Sequence, residues 1–340
     1  MDKRVIFAVA GAGKTTQIVS QLSDTDACLI LTYTRTNLEN IRRAVIRRFG
    51  YFPTTITLDT YFSFLFSFCI RPLLSLADRP AGLFFETNPN FYASGDARYL
   101  TRSGYLYANR AAKFIEHRNL QDAVIRRMQK YFNAVFVDEV QDFAGNDFNF
   151  LKVICRANLK TIFVGDFYQH TFDTSRDGGV NKTLHDDLES YQKHFKKMGL
   201  EVDNTTLTKS WRCSPDTCNF ISEKLDIMIE SNRVDKTDIF LIDGIEEAQM
   251  FFEESDIVKL FYRQHYLYPC FSRNWGDCKG EDSFGDVCVV LNADTDKKFR
   301  QGKLRDLNPQ TRNKLYVACS RARGNLYFVS EALIRTMLQR

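Results

Sequence analysis

The sequence predicts an α/β fold in which parallel sheets are covered by helices on both faces. Three observations carry that expectation. Five short apolar or β-branched runs recur in the first two hundred residues, at Val5–Val9, Cys28–Tyr33, Thr54–Leu58, Ala134–Val137 and Thr161–Val164. Helical patterns separate them, and strands apolar on both faces belong to sheets buried on both sides. Polar residues able to do chemistry stand just past the ends of these runs, where ligands sit in open parallel sheets.

The first run leads directly into Gly11-Ala12-Gly13-Lys14-Thr15-Thr16, and a helix is expected from Thr16 to about Leu22. Strand, glycine loop, Lys-Thr and helix together form a phosphate-binding loop. The glycines let successive backbone N–H groups face phosphate oxygens, and the helix N-terminus adds partial positive charge. Residues Ala10 to Thr16 are expected to bind ATP, with Lys14 reaching the β- and γ-phosphates and the Thr15 hydroxyl on Mg²⁺. Ala8 stands where such loops usually carry their first glycine.

Length and composition set bounds. The 340 residues suffice for two domains with their own cores. Charged residues make up 26% and hydrophobic ones 44%, as in ordinary globular proteins, and the net charge of +4 excludes a strongly acidic surface. Nine cysteines lack paired spacing, which points to reduced thiols and a cytoplasmic protein rather than a zinc site. With the first strand expected almost at once, no signal peptide is expected. The most apolar stretch, Tyr61 to Leu74, is too short to span a bilayer and is expected to be a buried helix.

After the second run comes Thr32-Tyr33-Thr-Arg-Thr-Asn37, then a helix bearing Arg42, Arg43, Arg47 and Arg48. After the third come Thr60 and Phe62. Hydroxyls and rings at strand ends suit a single-stranded nucleic acid, holding phosphates and stacking bases; equally, Tyr33 and Phe62 could be core and the arginines a solvated face. Residues 75–120 carry Pro, Gly and Asn and read as an irregular insertion with one helix near Ala108–Arg118. A helix from Leu120 to Tyr131 feeds the fourth run, which ends in Asp138-Glu139-Val-Gln141-Asp142. Asp138 is placed to position Mg²⁺ and Glu139 to activate a water, which favours hydrolysis over transfer to a small acceptor. The fifth run ends Gly165-Asp166-Phe-Tyr-Gln169, with Gln169 set to touch a γ-phosphate.

In order and spacing, Lys14-Thr15, Thr32–Asn37, Asp138-Glu139-Val-Gln141-Asp142 and Gly165-Asp166-x-x-Gln169 resemble the motifs of UvrD/Rep-type superfamily 1 helicases. Leu207-Thr-Lys-Ser-Trp211-Arg212 is similar to the family's fourth motif. Leu315-Tyr316-Val-Ala-Cys-Ser-Arg321 is similar to its sixth. Trp275-Gly276-Asp-Cys-Lys279-Gly280 is similar to its fifth, with Gly276 in place of the family's His and Ser283 in place of its Glu. Thr174 stands where the family often has a base-stacking Trp, with Phe172 two residues earlier.

The resemblance implies two RecA-like domains, here at 1–203 and 204–340, with ATP·Mg²⁺ in the cleft between them. It implies Arg212 and Arg321 as γ-phosphate arginines beside Glu139 and Gln169, Trp211 on the adenine and Gly280 near the nucleotide. It also implies single-stranded DNA on Thr32, Tyr33, Thr60, Phe62, Phe172 and Lys279, with 3′-to-5′ translocation. The family's upstream glutamine motif, which precedes the first strand, is expected to be missing. Only roughly seventy residues separate Phe64 from Asp138, room for a stub of the family's first large insertion, and the second is missing. Two functions are therefore expected in order: an autonomous ATP-driven translocase or helicase, or an ATPase subunit that works with a nuclease or another DNA-processing protein.

Overall fold

The computed structural model describes residues 1–90, 92–171 and 179–339. The chain forms two compact units. The first contains Met1–Phe7, Lys14–Gly165 and Phe172–Asp203; the second contains Ala8–Gly13, Asp166–Thr171 and Asn204–Arg340.

The sheet of the first unit has six strands, all parallel. Their order is Ile56–Thr60, Cys28–Thr32, Ala134–Val137, Lys160–Gly165, Lys3–Phe7 and Glu201–Asp203. Its four central strands are apolar on both faces: Val5, Leu29, Ile30, Leu31, Val135, Val137, Ile162, Phe163 and Val164 are all fully buried. That is the burial expected when helices cover both sides of a parallel sheet. The first strand is Lys3–Phe7, two residues earlier than the apolar run suggests. Val9 instead donates its N–H to Leu207 O at 3.0 Å, within the second unit.

Tyr61 to Leu73 is not one α-helix. A single turn at Tyr61–Ser63 passes into a π-helix at Phe64–Ile70 and then a 3₁₀ turn at Arg71–Leu73. The buried residues explain the change: Phe64 with Cys69 and Leu65 with Ile70 are five apart, the spacing of the wider winding. The insertion holds short 3₁₀ turns, a two-residue parallel pairing of Leu83–Phe84 with Leu106–Tyr107, and the helix Ala111–His117.

In the second unit five parallel strands run in the order Ile239–Ile242, Leu326–Ser330, Val287–Leu291, Val258–Phe261 and Ser272–Asn274. A core around Leu260, Trp275, Val289, Tyr316 and Phe328 fills one face and a second cluster around Phe261, Cys288 and Val290 fills the other. All nine cysteines are free thiols and eight are buried. Among the described residues no helix is long and apolar enough to cross a membrane.

Candidate active site

In the first unit the strand Ala134–Val137 delivers Asp138, which is buried and anchored by its N–H to Leu31 O at 2.8 Å. Glu139 follows with φ 54° and ψ 49°. For a residue with a Cβ this left-handed conformation costs about 1–2 kcal/mol, and it persists where the surroundings fix it. Here both carboxylate oxygens are engaged. Gln141 Nε2 donates to Oε2 at 2.5 Å, and Lys14 Nζ lies 3.7 Å from Oε1. The two charged side chains are only 12% and 9% exposed, so their attraction is weakly screened.

Gly165 makes room for this arrangement. A Cβ there would overlap Gln141 Oε1 and approach Val140 Cγ1 to 2.8 Å, so a larger residue would push Gln141 away from Glu139. Tyr191 OH donates to Val140 O at 3.2 Å and supports the same turn from the helix Leu188–Lys197.

The second unit holds the glycine loop and the arginines. Gly11 and Gly13 have φ of 72° and 90°, which turns backbone N–H groups toward a common side. At Gly11 a Cβ would come within 2.7 Å of both Arg212 Cβ and Ser210 Oγ, so only glycine permits the loop to lie against Arg212. Trp211 donates its N–H to Gly11 O at 2.9 Å while its ring is 65% exposed and open to a stacking partner.

Tyr316 ties three segments of this unit together. Its buried hydroxyl accepts from Ala10 N–H at 2.8 Å and donates to Asp166 Oδ2 at 2.9 Å. Asp166 in turn caps the turn that carries Gln169, accepting from Tyr168 N–H at 3.1 Å through Oδ1. Gln169 is almost fully buried. Arg212 and Arg321 are buried too, and both face Asp282: Arg212 Nη2 donates to Oδ1, and Arg321 Nη1 lies 3.9 Å from the same oxygen. Gly280 adopts φ 86° in the turn just before.

The residues expected at a nucleic acid are placed unevenly. Thr32 is fully enclosed at the end of its strand. Tyr33 and Phe62 are half-buried and meet edge to face at 5.3 Å, and Tyr33 also stacks on buried Tyr61 at 6.0 Å. Thr60 caps the following turn through Ser63. Lys279 is half-buried. Phe172 and Thr174 lie outside the described residues.

Sequence reading passed over Asp166, Tyr316 and Asp282 as actors. Gln141 alone carried a usable signal, since two residues beyond Glu139 in a tight turn it returns to the same side.

The residues fit a metal–triphosphate. In the first unit an amine, two carboxylates and a hydroxyl match its oxygens and its cation. Among the described residues no cluster of His, Cys, Asp and Glu forms a separate metal site.

Parallel α/β units with a Gly-Lys-Thr loop and an Asp-Glu pair after a strand are similar to those of P-loop NTPases. More narrowly, the profile of the UvrD/REP helicase N-terminal domain matches residues 98–174. The chain resembles UvrD/Rep-type superfamily 1 helicases, and its units have the RecA-like form. The arterivirus nonstructural protein 10 helicase solved in complex with DNA superposes with a TM-score of 0.52 at 14% identity, over 98% of this chain and 63% of that one. A further structure of that helicase gives 0.50 at 14% identity, over 96% and 59%. The helicase of the virus PRRSV gives 0.47 at 14% identity, over 97% and 52%. The chain thus spans 52–63% of the length of these helicases. No curated protein matches it in sequence.

Proposed function

We propose that this chain is an ATP-dependent single-stranded DNA translocase or helicase of the UvrD/Rep type. The observation that carries the reading is the enclosed Lys14–Glu139 pair, 3.7 Å apart, with Glu139 braced by Gln141. Lys14 is the cation for the β- and γ-phosphates. A triphosphate arriving there draws Lys14 toward its own oxygens and frees Glu139 Oε1 to orient and deprotonate a water. Gln141 holds the other oxygen and fixes the direction in which the base points. Thr15 and Asp138 would hold Mg²⁺, which when bound screens the phosphate charge. Arg212 and Arg321 supply positive charge to the γ-phosphate, Gln169 senses it, and exposed Trp211 offers a face to the adenine.

Tyr33, Thr60, Phe62 and Lys279 are the proposed contacts to single-stranded DNA, with movement 3′ to 5′. A second reading is favoured by Gly276, which replaces the family's His in the fifth motif. In that reading the chain hydrolyses ATP but separates strands only beside a nuclease or another DNA-processing protein. Displacement of streptavidin from end-labelled oligonucleotides tests the choice. ATP-dependent displacement from the 5′ end and not the 3′ end supports the translocase. ATP turnover with no displacement from either end favours the partner-dependent subunit.

A further inference from the structure

Two buried cations in the second unit converge on one carboxylate. The side chains of Arg212 and Arg321 are 9% and 1% exposed, whereas Asp282 is 60% exposed. Backbone carbonyls hold both arginines in place. Ser320 O receives Arg212 Nη1 at 3.1 Å, and Val317 O and Glu281 O receive Arg321 Nε and Nη1, each at 3.2 Å. Arg212 Nε is buried with no hydrogen-bond partner among the described residues, a donor left over for a ligand. The glycine loop lies against the same side chain, at Arg212 Cβ.

The electrostatics show why an anion belongs here. Burial, then the nearby Arg321, pull the Arg212 guanidinium down to about 10, and Asp282 opposes them. Without a counter-charge two buried guanidinium groups would repel at low dielectric. Of the three charged groups only Asp282 can leave cheaply, because it already borders water and returns there with little desolvation. The arginines are fixed by the carbonyls around them.

We propose that the Asp282 carboxylate is a built-in stand-in for the γ-phosphate, neutralising Arg212 and Arg321 in the nucleotide-free protein and displaced when a nucleoside triphosphate binds. This rests on the proposed function above. Carboxylate and phosphoryl oxygens make the same charge-assisted bonds to guanidinium groups, so the two compete for one place. A diphosphate lacks the competing group and leaves Asp282 where it is. Asp282 therefore lowers triphosphate affinity selectively and restores the resting charge balance once the γ-phosphate has gone.

The test measures dissociation constants for ADP and for the non-hydrolysable β,γ-imido triphosphate. It compares the unmodified protein with Asp282→Asn, Asp282→Ala and Asp282→Glu, each checked for folding by thermal melting. The two neutral variants should bind the triphosphate about five- to tenfold more tightly and ADP within about twofold of the parent. Asp282→Glu, which keeps the charge, should stay close to the parent. In the unmodified protein, the triphosphate analogue and not ADP should speed amide exchange across residues 280–284. Unchanged or weaker triphosphate binding in the neutral variants, equal tightening of ADP, or no change in exchange overturns the inference. If no form binds a triphosphate, the proposed function falls with it; if all bind one equally well, the inference alone falls.

Discussion

Lys14 Nζ and Glu139 Oε1 lie 3.7 Å apart, each almost enclosed, Lys14 opening the helix Lys14–Ser20 and Glu139 standing two residues past the strand Ala134–Val137. In the proposed function the pair joins the residue that would grip phosphate to the residue that would activate water. Removing either charge should therefore affect different steps. Glu139→Gln keeps shape and the neighbourhood of Gln141 but loses the base, so turnover should fall by about 100-fold or more with nucleotide affinity retained. Lys14→Ala should lose affinity as well. Equilibrium binding alongside phosphate release separates the two effects.

The Tyr316 hydroxyl bonds both Ala10 N–H and Asp166 Oδ2, at 2.8 and 2.9 Å. Tyr316→Phe leaves the ring in the core and strips both bonds. The buried N–H and carboxylate lose a partner, at a cost of about 1–3 kcal/mol. Urea unfolding should show a lower midpoint with an unchanged slope. A midpoint equal to that of the parent would show that this link contributes nothing.

Gly11→Ala is expected to be severe for so small a change. The new Cβ would sit 2.7 Å from both Arg212 Cβ and Ser210 Oγ, at φ 72°. Left-handed backbone alone costs about 1–2 kcal/mol, and the overlap adds to it. Nucleotide affinity should drop together with thermal stability. Gly50→Ala supplies the comparison: φ is 81° but nothing lies within 4 Å, so only the backbone cost applies and nucleotide affinity should hold.

Asp147 gives the protein a pH dependence of known sign. It is fully enclosed in the first turn of the helix Gly145–Arg156, its Oδ1 accepting from Tyr61 OH at 3.2 Å. Burial raises its pKa well above the ordinary carboxylate range, and the Tyr61 bond offsets this only in part. The folded state thus keeps a proton that the unfolded chain releases. Its contribution to stability is full below the unfolded pKa and is lost as pH rises toward the folded one. Asp147→Asn keeps the acceptor and removes the titration. Between pH 5 and pH 8 its melting temperature should change less than that of the parent, and at pH 8 it should be the higher. A steeper fall in the variant would contradict this.

Much of the first sheet was legible because its central strands are apolar on both faces, a pattern that few other structures produce. Glu201–Asp203 escaped notice since an edge strand with two carboxylates looks like a loop, and only its pairing with Arg4–Ile6 reveals it. Phe64–Ile70 was legible only as part of a buried helix because both windings suit an apolar run, and the five-residue spacing of its buried pairs is clear only once burial is known. Lys14 and Glu139, which the structure pairs, are each marked by local order along the chain. Asp282 is not: it lies 70 residues from Arg212 and 39 from Arg321, and nothing local marks it as their shared counter-ion. Nor does the sequence reveal that Thr32 is enclosed at the end of its strand.

The most direct test of the whole account is the rate of phosphate release from ATP with and without single-stranded DNA, in the parent protein and in Glu139→Gln. The account predicts release that single-stranded DNA stimulates at least about tenfold and that the substitution reduces to background. Release that ignores DNA, or that survives the loss of the Glu139 carboxylate, would contradict it.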